Sequence, residues 1–163
     1  MKTHQIMEQF NEIIKQIKEL DKEGSSSFMN LDEGELAYIY NLGVKFVSIG
    51  NYEHAIKLFQ FLLIYNPFNI DYLKALAGSL HAIKDYENAY SAYFTAYDLD
   101  KENQKDCLFY LGACSFYLKK TETSIEYLKE FLISSQDKKM NARAKLFIKQ
   151  IESDNKKEQV KDE

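Results

Sequence analysis

The chain has 163 residues, 45% hydrophobic and 28% charged, with a formal net charge of -4. This allows one domain of about 100–150 residues with short tails, and it excludes the sparse, highly charged composition of a disordered chain. No concentrated basic face is present, which argues against nucleic acid as a partner. Six glycines and one proline leave little punctuation for strands, so an all-α fold is expected.

The first expected element is "IMEQFNEIIKQIKEL" (6–20), in which Ile6, Phe10, Ile13, Ile14, Ile17 and Leu20 form one apolar stripe of an amphipathic helix. Glu8, Glu12 and Glu19 interrupt any continuous apolar core, so this segment is not expected to be a secretory signal. "EGSSS" (23–27) follows as a flexible joint, and residues 1–27 are read as an N-terminal helix with its linker. Two roles stay open for the stripe: a cap folded back on the domain, or a dimerisation helix or partner-docking arm.

The stretch "GNYEHAIKLFQFLLIYNPFN" (50–69) is apolar but broken by Glu53, His54, Lys57 and Gln60. It is therefore not a membrane span, which needs about 18–20 predominantly apolar residues. Its face of Ala55, Ile56, Phe59, Leu62 and Leu63 reads as a buried helix. "LGVKFVSIGNYEHAIKLFQFLLIYNP" (42–67) aligns with "LAGSLHAIKDYENAYSAYFTAYDLDK" (76–101) at a shift of 34, and a third copy, "LGACSFYLKKTETSIEYLKEF" (111–131), follows at 35. Gly43 with Ala55, Ala77 with Ala89, and Gly112 with Ser124 place small residues where two antiparallel helices would cross closely. A 34-residue period of this kind resembles the tetratricopeptide repeat. Asn51 and Asp85 are expected N-caps, and Pro67 an expected stop. The third copy departs at "KKTET", and the second and third lack the terminal proline.

The expected architecture is all-α: three tandem repeats (about 36–69, 70–103 and 105–138) forming a superhelix within a domain of 28–152. A capping helix at 139–152 uses Met140, Ala144, Phe147, Ile148 and Ile151, and the tail 153–163 is expected to fray. Cys107 and Cys114, seven apart, lie about 10 Å from one another on a helix. That exceeds the roughly 7 Å reach of a disulfide, so two reduced thiols are expected.

Motifs for chemistry are lacking. His4, His54 and His81 have no partners at metal-ligand spacing, no glycine-rich phosphate loop is present, and no nucleophile motif occurs. No catalytic residue, metal or cofactor is expected. Function is placed instead on the concave side, lined by the first helix of each repeat. The register assigns Ala37, Tyr40, Val44 and Val47 to it from repeat one. Repeat two supplies Asp71, Lys74, Gly78 and His81, and repeat three Asp106, Phe109, Ala113 and Phe116. Such a floor suits an extended peptide with spaced apolar anchors. The alternative is that Tyr40 and Phe109 pack on each other or on a terminal segment. The Lys and Asn residues of a carboxylate clamp are absent: Tyr40, Val44, Ala75, Asp106 and Tyr110 stand there.

Residues 28–152 resemble the class II chaperones of bacterial type III secretion, which guard translocator proteins. The resemblance rests on "GNYEHAIKLFQFLLIYNPFNIDYLKALAGSLHAIKDYENA" (50–89), on "LGACSFYLKK" (111–120), and on the layout of N-terminal helix, three repeats and charged C-terminal helix. It implies a cytoplasmic, non-enzymatic chaperone that keeps a hydrophobic pore-forming translocator soluble before export, without entering a membrane itself. It further implies that a Pro-x-Leu-x-x-Pro-like segment is gripped by first-helix aromatics, matched here by Tyr40, with Val44 and Val47 where the family often has aromatics. A homodimer formed through the N-terminal region is also implied. From another class, a scaffold or regulatory adaptor bridging folded partners, including a transcriptional co-activator, stays open.

Overall fold

The computed structural model describes residues 31–159. The joint and the stripe of Ile6, Phe10, Ile13, Ile14, Ile17 and Leu20 lie outside them. Among the described residues every regular element is a helix: α1 (Glu33–Ser48), α2 (Tyr52–Tyr65), α3 (Ile70–Ala82), α4 (Tyr86–Leu99), α5 (Asp106–Tyr117), α6 (Thr121–Ser134) and α7 (Lys138–Gln159). The chain divides into two compact units, one ending at Pro67 and the next beginning at Phe68.

In the first unit, α1 starts at a capping box. Asp32 Oδ1 accepts from the Glu35 N–H at 2.8 Å, and Glu35 Oε2 accepts from the Asp32 N–H at 2.9 Å. The two helices meet through Ile39, Leu42, Phe46, Ala55, Leu58, Phe59 and Leu62, all buried. The buried face of α2 therefore includes Leu58, while Ile56 and Leu63, expected on it, are only half-buried. The Phe59 ring lies so close to Gly43 that a Cβ there would fall 2.5 Å from Cε1. Glycine is required by that approach. The helix stops at Tyr65, just before Pro67, as expected. Asn51 does not cap α2 with its side chain, because Oδ1 is engaged with His54 Nδ1 at 2.6 Å.

The second unit holds two more helix pairs and α7. Asn69 caps α3 by accepting from the Tyr72 N–H at 3.0 Å, and Asp85 caps α4 by accepting from the Asn88 N–H at 3.3 Å. At the α5/α6 crossing, Ser124 Oγ donates to the Gly112 carbonyl at 2.8 Å, fully buried. Leu108, Phe109, Leu128, Phe131 and Ala144 form a core against which Met140, Phe147 and Ile148 of α7 pack. Asp137 Oδ1 accepts from the N–H groups of Lys139 and Met140 at the start of α7. The tail expected to fray from 153 is helical as far as Gln159.

The three turns within the helix pairs, α1/α2, α3/α4 and α5/α6, close in the same way. Gly50, Lys84 and Lys119 have φ of 76°, 66° and 61°, and their spacing repeats the 34- and 35-residue shifts of the sequence. The next N–H then reaches back five residues: Asn51 to the Phe46 carbonyl, Asp85 to Leu80 and Lys120 to Ser115, at 2.9, 3.0 and 2.9 Å. This is the left-handed helix end usually given to glycine, and the third repeat keeps it although "KKTET" hides it.

Candidate functional site: the faces of the first helices

The first helices α1, α3 and α5 carry the residues expected to contact a partner. In the first unit, Ala37 is exposed, Val44 is 43% exposed, and Tyr40 and Val47 are half-buried. The Tyr40 ring leans on Phe59, with centroids 5.8 Å apart. The spacing i, i+3, i+7, i+10 puts these four on one stripe of α1.

In the second unit, Asp71 is exposed and Lys74, Gly78, His81, Asp106 and Phe116 are half-buried. Lys74 is not an unpaired cation. Its Nζ lies 2.8 Å from Asp106 Oδ2 and donates to Gln104 Oε1 at 2.9 Å. Burial pulls the ammonium pKa down, but the Asp106 hydrogen bond and charge outweigh it, and the net shift is upward.

His81 sits edge-on to Tyr86, Tyr110 and Tyr117, at 5.3, 6.3 and 6.2 Å between centroids. Burial, helped by the charge of Arg143, lowers its pKa. Its Nε2 is buried and has no hydrogen-bond partner among the described residues. Around it, Tyr86 stacks on Tyr117 at 4.3 Å and Tyr93 on Tyr110 at 4.8 Å.

Phe109 and Ala113, expected on the open lining, are 1% and 2% exposed. The alternative reading of Phe109 is the one observed. Its ring packs on Phe131 at 5.5 Å and on Phe147 at 6.2 Å, with the Arg143 guanidinium 5.1 Å from its centroid. The terminal helix α7 covers this position, so neither residue is available to a ligand here.

Sequence reasoning missed Tyr86, Tyr93, Tyr117 and Phe147 as parts of this aromatic group. Tyr93 was detectable: its repeat equivalents are Phe59 and Leu128, so repeat two alone adds a hydroxyl there. Tyr117 carries no periodic signal, because its equivalents are Ser48 and Ala82. Cys107 and Cys114 are both free and fully buried, and burial pushes each thiol up to about 12. Among the described residues no group of three or more His, Cys, Asp or Glu could hold a metal ion, and no helix is long and apolar enough to cross a membrane.

The tetratricopeptide repeat family model matches residues 36–69 and 70–103. The chaperone protein SicA of Salmonella typhimurium is 25% identical over 115 residues, 71% of this chain and 69% of SicA. Among solved structures, the type III secretion translocator chaperone SycD of Yersinia enterocolitica superposes with a TM-score of 0.70. The identity is 18%, over 80% of this chain and 92% of that one. SycD has also been solved with a peptide of the translocator YopD and as an alternative dimer. PcrH of Pseudomonas aeruginosa, in complex with the chaperone binding region of PopD, gives a TM-score of 0.69 at 19% identity, over 78% of this chain and 98% of PcrH. The chain thus carries tetratricopeptide repeats and has the fold of the type III secretion translocator chaperones.

Proposed function

We propose that this protein is a cytoplasmic, non-enzymatic chaperone of type III secretion. It binds a hydrophobic translocator through an extended segment and keeps it soluble and apart from its partners before export. The observation that carries the reading is the stripe of Ala37, Tyr40, Val44 and Val47, partly open on α1, in a fold shared with chaperones solved with translocator segments. A translocator exposes apolar surface that would aggregate if free, and a net charge of -4 on the chaperone favours solubility of the pair. Spaced apolar anchors on a helix face suit a segment that is released without chemistry. On α3, Lys74, Gly78 and His81 are separate candidates for contact with the client. Homodimerisation falls to the Ile6–Leu20 stripe, and SycD supplies the precedent of a dimer.

The test is a titration of a fluorescent peptide with a Pro-x-Leu-x-x-Pro core against the wild type and Tyr40→Glu, followed by anisotropy. Saturable binding lost in the variant supports the reading. No binding to the wild type would shift the weight to an adaptor that bridges folded partners through another surface.

A further inference from the structure

Charge is spread unevenly along the chain. Residues 138–151, the first part of α7, hold Lys138, Lys139, Arg143, Lys145 and Lys149 and no acidic residue. Asp137 and Glu152 bound the run. All 25 Asp and Glu of the chain lie outside it, against 16 of the 21 Lys and Arg. The five cations are exposed, and none is in an ion pair among the described residues. Arg143 rests on the Phe109 ring, which leaves the four lysines to solvent. At about 3.6 residues per turn, Lys138, Lys145 and Lys149 share one stripe about 17 Å long. It faces away from the buried Ala144 and Ile151. Lys139 and Leu146 lie along its edge, and Leu146 is 66% exposed.

Helix physics does not favour this arrangement. Lys138 and Lys139 stand in the first turn, which has no acidic residue and where the helix dipole disfavours cations. Lys139 with Arg143, and Lys145 with Lys149, are like charges four residues apart, which destabilise a helix. A terminal helix of a repeat array needs a polar outer face. Mixed signs would supply one and add favourable pairs at the same spacing. A single sign beside an exposed leucine serves an acidic partner instead.

We propose that this stripe of α7 docks a short acidic segment of a partner protein. An apolar residue of the segment sits on Leu146, and flanking carboxylates meet Lys138, Lys145 and Lys149. The charge pattern selects the occupant. A basic run this short does not reverse the expectation of no nucleic-acid partner. Duplex DNA or an anionic membrane reaches well past the stripe and meets the acidic remainder of the chain, which repels it within about 8 Å at physiological ionic strength. A short segment confines its carboxylates to the lysines. Exposed charges act chiefly by steering encounter, so the complex forms fast and loosens with salt. The site is built on α7 alone and uses none of the client-contact residues of α1 and α3. It therefore stands independently of the chaperone reading.

The probe is a fluorescein-labelled helical peptide with Glu at i, i+4, i+7 and i+11 beside one Leu, titrated by anisotropy against the full chain. Saturable binding that weakens with added salt is expected. The triple variant Lys138→Glu, Lys145→Glu, Lys149→Glu should bind about tenfold more weakly or worse. It should melt at or above the wild-type temperature, because a carboxylate in the first turn suits the dipole. Leu146→Ser should weaken binding about three- to tenfold through lost apolar contact. A peptide with Lys in place of Glu should bind the triple variant and not the wild type. Tyr40→Glu should leave binding of the acidic peptide unchanged. Equal binding of a scrambled peptide of the same composition would overturn the proposal, since the attraction would then be of net charge alone. So would absence of peptide binding, and so would binding confined to phosphatidylserine vesicles or to duplex DNA, which would assign the stripe to a membrane or to nucleic acid.

Discussion

Adding one methyl at Gly112 and one at Gly78 should move stability in opposite directions. Alanine gains about 1 kcal/mol over glycine in a helix interior at either position. At 78 the nearest obstacle is 3.6 Å away, so Gly78→Ala keeps that gain. At 112 the new carbon would sit 2.6 Å from Leu128 Cγ, 2.8 Å from Cδ2 and 3.3 Å from the Ser124 carbonyl oxygen. Carbon atoms pack at about 3.5–4.0 Å. Leu128 is fully buried and has nowhere to turn, so α5 and α6 must part by about 1 Å. Overpacking of this kind costs about 1–3 kcal/mol. Separation also stretches the buried 2.8 Å bond from Ser124 Oγ to the Gly112 carbonyl, worth about 1 kcal/mol. Against the helical gain, Gly112→Ala should lose about 1–3 kcal/mol. Urea unfolding followed by far-ultraviolet circular dichroism reads both midpoints. A Gly112→Ala protein that unfolds at or above the wild-type midpoint would show that the crossing does not need a small residue.

The left-handed turns make a second case. Lys119→Gly and Lys84→Gly should each raise the unfolding free energy by about 0.5–1 kcal/mol, read as a higher urea midpoint, since φ of 61° and 66° strains a side-chain-bearing residue; unchanged midpoints would refute the strain. His81 is expected to impose a pH dependence. Its folded pKa is lowered by burial and Arg143, so its contribution is complete above the unfolded value of about 6.5 and is lost as pH falls below it. His81→Phe should therefore flatten the decline in melting temperature between about pH 7 and pH 5, and an unchanged slope would contradict the assignment. Cys107 and Cys114, with thiols pushed up to about 12, should react with Ellman's reagent only as fast as the protein unfolds. Rapid reaction of either in the native state would contradict their burial. A double-mutant cycle on Lys74→Met and Asp106→Asn should return a coupling of no more than about 1 kcal/mol, as for other partly exposed pairs.

The helix pairs were readable because close crossing demands small residues, and Gly43, Ala77 and Gly112 recur at the period of the fold. The third turn was not readable. A lysine in the left-handed region leaves no glycine to notice, and only the backbone angle at Lys119 reveals the shared closure. The site was legible to the level of helix faces. Register assigned Phe109 and Ala113 to the open lining, but it carries no information about which element lies over a residue, and Phe109 is packed against Phe147 of α7. Asn51 shows a similar limit: the residue type suits a cap, yet His54, three residues on, takes its oxygen instead. The unpartnered Nε2 of His81 depends on distances between helices, which no residue pattern encodes.

Lys74 and Asp106 neutralise one another at 2.8 Å between α3 and α5. A segment lying beside them meets a short dipole, whose field fades with distance faster than that of a lone ammonium. Mobile ions weaken a grip based on unpaired charge, because they screen it over about 8 Å at physiological ionic strength. Apolar contact has no such sensitivity and is strengthened by strongly hydrated salts. The affinity of this face should therefore hold nearly constant from dilute buffer to molar salt, and a client seated there would stay seated through swings in ionic strength that strip ligands from cationic clamps.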